Sequence, residues 1–213
     1  MKIFAIIFLV ILTPSSYSQT TAVTEKGDTV LLKKDGTWEF KTDNSTSNAN
    51  DQPSLDTNST FFVRDSQAQK VVKGQKVDYQ LWYNSNKWNL TDLKNSFTEY
   101  TFGYKKGTAY CMIIPEKISL TNEGLRTIAL ANAKNAAEKV EVLDEDIRNV
   151  NGTYVYMMKF KGIIQGMKFI YWGYYYTDEN RAIQFLVYTY QNLFNEYKPE
   201  LEKMLDGLVL NSE

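Results

Sequence analysis

IYWGYYYT, residues 170–177, places five aromatic rings in eight positions. Two readings compete for it. It is one strand of a packed sheet, or it is a platform that stacks against a ligand through Trp172, Tyr174 and Tyr176 at its open end. The flanking sequence bears on the choice. TYVYMMKFK (153–161), MKFIYWGYYYT (167–177) and RAIQFLVYTY (181–190) are rich in β-branched and aromatic residues and are separated by short turn-like segments, so they read as three antiparallel strands. Pairing Lys161 with Gly166 across the GIIQ segment sets Phe160 opposite Met167, Met158 opposite Phe169 and Tyr156 opposite Tyr171. On the other face Lys159 meets Lys168, Met157 meets Ile170 and Val155 meets Trp172. Both faces are apolar over their middle, whereas a sheet with one wet face alternates cleanly.

Such a sheet needs cover on both faces, and two helices are available. Residues 121–138 carry Thr121 as a cap, Glu123 in the first turn and a stripe of Leu125, Ile128, Ala129, Ala133, Ala136, Ala137 and Val140. A second helix is expected from about Asn192, broken or offset near Pro199, with Phe194, Tyr197, Leu201, Met204, Leu205 and Leu208 on one side. The expected fold class is therefore α+β: an antiparallel sheet covered by helices on both faces, an α/β/α sandwich. In that setting Trp172 belongs to the core. Tyr176, nearest the strand end, is the better candidate for a ligand or partner contact.

Further out the chain divides. Lys2 followed by the apolar run Ile3–Leu12 and the small residues Ser16 and Ser18 reads as an export signal over 1–18, cleaved before Gln19. Ten apolar residues are too few to span a bilayer, which needs roughly 20, and no later segment is apolar enough to do so. Residues 19–40 read as a small β hairpin or meander with turns at Lys26-Gly27-Asp28 and Lys34-Asp35-Gly36. Residues 41–60, dominated by Asn, Ser, Thr and Asp, read as a flexible linker, because they offer almost nothing to bury. Residues 61–213 form the main domain.

The order of features over about residues 78–210 resembles the PsbP/Mog1-like family. These are KWNL (87–90), AYCMIIPE (109–116), a helix, a strand ending in Asn151-Gly152, long strands ending GYYYTDENRAIQFLVYT (173–189), and a helix ending LDGL (205–208). The segment closing in KDGTWEF (34–40) resembles a short stretch at the mature N-terminus of exported bacterial proteins. Members of the PsbP/Mog1-like family include extrinsic photosystem II subunits and a nuclear Ran-binding protein. No residue here matches a binding motif of either, so the resemblance implies a fold and an accessory or binding role.

Chemistry is constrained by what the composition omits. There is no histidine, which removes the commonest general base and zinc ligand and excludes every Ser-His-Asp and Cys-His mechanism. The single cysteine, Cys111, sits in an apolar run and reads as a buried thiol, with no internal disulfide possible. Asp144-Glu145-Asp146 lacks calcium-loop spacing and reads as a solvated strand end. No phosphate- or dinucleotide-binding glycine motif and no nucleophile-elbow motif occurs, so no cofactor and no enzymatic activity are expected. With residues 1–18 removed, 23 basic residues face 25 acidic ones without a basic cluster, which argues against a nucleic-acid partner. The resulting expectation is an exported, periplasmic or secreted, non-enzymatic module that binds a protein or cell-envelope component. The alternatives are a small-ligand binder using the open end of strand 170–177 and, behind it, a carboxylate-based hydrolase.

Overall fold

The structure, a computed structural model, describes residues 20–23, 29–32, 38–40, 55–91 and 97–210. The expected leader and residues 41–54 of the expected linker lie outside these residues. Near the N-terminus β1 (Thr20–Val23), β2 (Thr29–Leu32) and β3 (Trp38–Phe40) form an antiparallel three-stranded meander. The rest of the described chain is an α+β fold. It comprises β4 (Thr57–Phe62), β5 (Lys70–Lys73), β6 (Gln80–Tyr83), β7 (Trp88–Thr91), β8 (Tyr100–Tyr104), β9 (Ala109–Glu116), α1 (Asn122–Ala136), β10 (Lys139–Val150), β11 (Thr153–Ile164), β12 (Met167–Thr177), β13 (Ala182–Tyr190), α2 (Phe194–Leu205) and β14 (Leu208–Val209). Eight strands make the main sheet in the order β4-β10-β11-β12-β13-β9-β8-β7, and β14-β6-β5 make a second sheet.

The aromatic strand β12 is thus central. Two tight turns set its surroundings. Asn151-Gly152 (φ 49° and 90°) joins β10 to β11, and Gln165-Gly166 (φ 50° and 74°) joins β11 to β12. Positive φ at both central positions is what a two-residue hairpin turn with the right twist requires. Because Gln165 and Gly166 alone reverse the chain, Ile163 and Ile164 stay in the ladder. The register therefore differs from the expected one by four residues: Phe160 pairs with Tyr171, Tyr156 with Tyr175 and Lys159 with Trp172. The shift is even, so every side chain keeps its face.

Three further expectations are corrected. The sheet is mixed rather than wholly antiparallel, because β4 runs parallel to β10 at the edge. Residues 57–60, expected in the linker, belong to that strand. The partner edge, Ile147–Val150, gives their backbone groups somewhere to bond. The second helix is not broken at Pro199; after a short 3₁₀ turn (Gln191–Leu193) it runs through the proline. The buried Leu201, Met204 and Leu205 anchor it to the sheet.

Side chains alternate across the sheet. Met157, Trp172, Tyr174, Phe185 and Val187 pack with Leu201, Met204 and Leu205 of α2. Tyr156, Met158, Phe160, Tyr175 and Leu186 pack with Leu125 and Ala129 of α1. The Thr121 hydroxyl accepts from Gly124 N (3.0 Å), so α1 begins at the cap expected of it.

Candidate functional site

The three ring positions proposed for contact separate in the structure. Trp172 is 2% and Tyr174 0% exposed, so neither can meet a ligand, and this part of the platform reading is corrected. Trp172 lies edge-on to Phe194 (5.9 Å) with the Arg148 guanidinium 5.4 Å from its ring. Tyr174 donates its hydroxyl to Asp206 Oδ1 (2.8 Å). Burial, with Glu202 nearby, raises the Asp206 carboxyl to about 6, against the opposing pull of the Tyr174 hydroxyl and Arg148. Alternation explains the outcome: both rings point to the α2 face at the sheet centre, where no edge is open.

Tyr176 alone reaches the surface. It sits at the end of β12, where residues Asp178–Arg181 turn into β13. Asp178 organises this turn. Its Oδ1 accepts from the backbone N–H groups of Asn180 and Arg181 (both 3.0 Å), and its Oδ2 accepts from Arg181 Nε (2.7 Å) and the Tyr176 hydroxyl (3.1 Å). Partial burial would raise this carboxyl, but the Asn180 N–H and the Arg181 guanidinium hold it below the usual carboxylate range. Arg181 also stands 5.4 Å from the Tyr176 ring and donates to the Asp78 carbonyl. Tyr176, Asp178 and Arg181 are thus tied to one another and to the turn backbone, so the cluster is pre-organised.

The cluster forms one wall of an open cleft of about 580 Å³, also lined by Lys76, Asp78, Lys117 and Glu179. Lys76 and Lys117 are exposed, and their ammonium groups make no ion pair among the described residues. Both signs of charge meet there, a setting suited to a polar segment rather than to an apolar ligand.

The acidic run on β10 is structural. Asp144 pairs with Lys159 (2.9 Å), Glu145 with Arg126 through two bonds (2.7 and 3.0 Å), and Asp146 with Arg148 (2.9 Å). Burial would raise Glu145, but Arg126 and the Tyr156 hydroxyl hold it low. Strand alternation sends neighbours to opposite faces, and among the described residues no group of three or more acidic or sulfur side chains converges to hold a metal. Cys111 is buried, and burial raises its thiol well above the usual range.

Sequence reasoning missed the other face of β12. Phe160, Tyr171, Tyr188 and Tyr110 stack in one row across four strands, with centroids 4.9, 5.2 and 5.3 Å apart. Tyr171 has a ring on either side, so its faces serve the sheet and are closed to a ligand. Tyr175, the next side chain on that face beyond Gly173, lines a space beneath α1. The alanines of the α1 stripe were the readable signal for that space.

No family model matches this chain, and no curated protein does. Solved structures do. PsbP (CyanoP) from Synechocystis sp. PCC 6803 is similar at 13% identity over 67% of this chain and 92% of that one, with a TM-score of 0.51. LpqN of Mycobacterium tuberculosis, described as involved in cell envelope biogenesis, is similar at 9% identity over 67% and 90%, with a TM-score of 0.49. At such identity the likeness to PsbP is one of fold, and it supports the expected PsbP/Mog1-like architecture.

Proposed function

We propose that this chain is an exported, non-enzymatic accessory module of the bacterial cell envelope. It binds a protein or envelope component through the cleft at the Tyr176 end of the main sheet. The observation that carries the reading is the pre-organised Tyr176–Asp178–Arg181 cluster beside Lys76 and Lys117. Binding into a rigid cluster loses little side-chain entropy, and the two lysines offer a partner's carboxylate groups something to pair with. The contacts of α1 with one sheet face and α2 with the other support an α/β/α sandwich as the scaffold. The leader-like residues 1–18 support export, to the periplasm or beyond.

Two measurements test this. A photo-crosslinking residue in place of Lys117 is expected to give discrete adducts in the host envelope, lost when Tyr176→Ala is added. The same residue at Lys168, at the far end of β12, is expected to give none. Equal adducts at both positions, or none at Lys117, would overturn the cleft as the contact. Mass spectrometry of the protein from its host is expected to find Gln19, or its cyclised form, at the N-terminus; an intact Met1 would remove the export claim.

A further inference from the structure

The α1 side of the sheet is incompletely filled. The helix meets the sheet through Leu125 and Ala129, with Ala133 half-buried against the same cluster, and the small side chains of Ala133 and Ala136 leave space over the strands beneath. Between them lies a cavity of about 160 Å³, walled on the sheet side by Phe160, Met112 and Leu186. Asn132 and Ala136 line it and are exposed, so it reaches the surface beside the helix.

Two buried polar side chains line this cavity. Tyr175 is 1% exposed, and its hydroxyl has no hydrogen-bond partner. Gln184, its cross-strand neighbour, is 7% exposed and makes no side-chain hydrogen bond among the described residues. An unpaired buried hydroxyl is costly, so native structures seldom keep one beside an open space without a partner for it. Water entering beside Asn132 bonds the hydroxyl but gives the walls of alanine, methionine, leucine and phenylalanine no contact, so a molecule that both bonds Tyr175 and covers those walls fits the space better.

Size and polarity together define the occupant. An apolar cavity of about 150 Å³ takes up benzene, and a long acyl chain needs far more room. We propose that this cavity is a binding site for a small aromatic molecule carrying one hydroxyl. Its ring packs under Ala133 against Phe160 and Leu186, and its oxygen pairs with the Tyr175 hydroxyl, with the Gln184 amide in second place. The cavity shares no lining residue with the Tyr176 cleft, so this site stands or falls independently of the proposed partner contact.

The test uses phenol and toluene, which match in shape and differ in the hydroxyl, with methyl NMR of Met112 and Leu186 in the mature chain. Both probes are expected to shift these methyl signals saturably. Ala133→Met, which pushes a side chain into the space, is expected to abolish the shifts. In Tyr175→Phe toluene binding is expected to persist while the ratio of phenol to toluene affinity falls about tenfold, the worth of one hydrogen bond. Shifts that fail to saturate in the parent protein, or a ratio unchanged in Tyr175→Phe, overturn the proposal. Shifts that survive in a folded Ala133→Met protein do so as well. If Ala133→Met does not fold, the parent titration and Tyr175→Phe decide by themselves.

Discussion

The two faces of β12 carry the same kind of side chain and do different things. On the α2 face, Trp172 and Tyr174 meet Leu201, Met204 and Leu205, and large groups fill the interface. On the α1 face, Tyr171 and Tyr175 meet a helix whose stripe turns from leucine to alanine, and a cavity remains. Burial alone does not separate them: Tyr174 and Tyr175 are 0% and 1% exposed. The partner of the buried hydroxyl does, since Tyr174 reaches Asp206 and Tyr175 reaches nothing. An aromatic strand is therefore core or site according to what the covering helix brings to it.

The largest effect should fall on the filled face. Trp172→Ala is expected to lose about 3–5 kcal/mol in a denaturant melt, the range for deleting a large buried aromatic, and Trp172→Phe much less. A Trp172→Ala protein as stable as the parent would erase the contrast between the faces.

The same face should show a pH signature. The folded Asp206 carboxyl titrates at about 6 against a reference of 3.8. The folded state therefore binds this proton more tightly than the unfolded state. The stabilisation it provides is complete below about 3.8 and is lost as pH rises through 6. Asp206→Asn, which keeps an acceptor for Tyr174, is expected to flatten this window and to exceed the parent at pH 7 by about 3 kcal/mol. Equal pH profiles for the two proteins would show that the carboxylate is not held in a buried setting.

On the unfilled face the expected sign is reversed. Tyr175→Phe removes a hydroxyl without a partner and leaves the ring, so the unliganded protein is expected to gain about 1 kcal/mol. A loss of stability in the same melt would mean that the hydroxyl is already satisfied. A modest effect is expected at the strand end. Tyr176 is half-buried against the core and bonded to Asp178, so Tyr176→Ala is expected to lose about 1 kcal/mol and leave the domain folded. A loss of 2 kcal/mol or more would make the Asp178–Arg181 turn a folding element.

The PsbP-like fold and the element types of the main sheet were legible, because long strands with aromatic and β-branched residues and a capped helix announce themselves locally. The second sheet was only partly so. Gln80–Tyr83 is a readable strand, but Lys70–Lys73 and Leu208–Val209 are too short to declare themselves and exist as partners of it. Of the candidate contact residues, Tyr176 lies half-buried at the end of β12, beside the open cleft. Trp172 and Tyr174 share its face in the sequence pattern, and only the position of α2 along the strand separates them from it.

What the sequence by itself determined is what depends on neighbours in the chain. This includes the alternation that sends Trp172 and Tyr171 to opposite faces, the Thr121 cap, the Asn151-Gly152 turn, and the chemistry closed off by the lack of histidine. What the tertiary structure decided depends on distances between segments remote in the chain. The four-residue difference in the β11–β12 register follows from a turn at Gln165-Gly166 tighter than the composition of GIIQ suggests. The parallel edge strand β4 forms because β10 offers it unpaired backbone groups. The cavity at Tyr175 forms because alanines four and three residues apart on α1 come to lie over a tyrosine about forty residues later in the chain. Local periodicity selects the face of a side chain. Only packing between elements selects what that face meets.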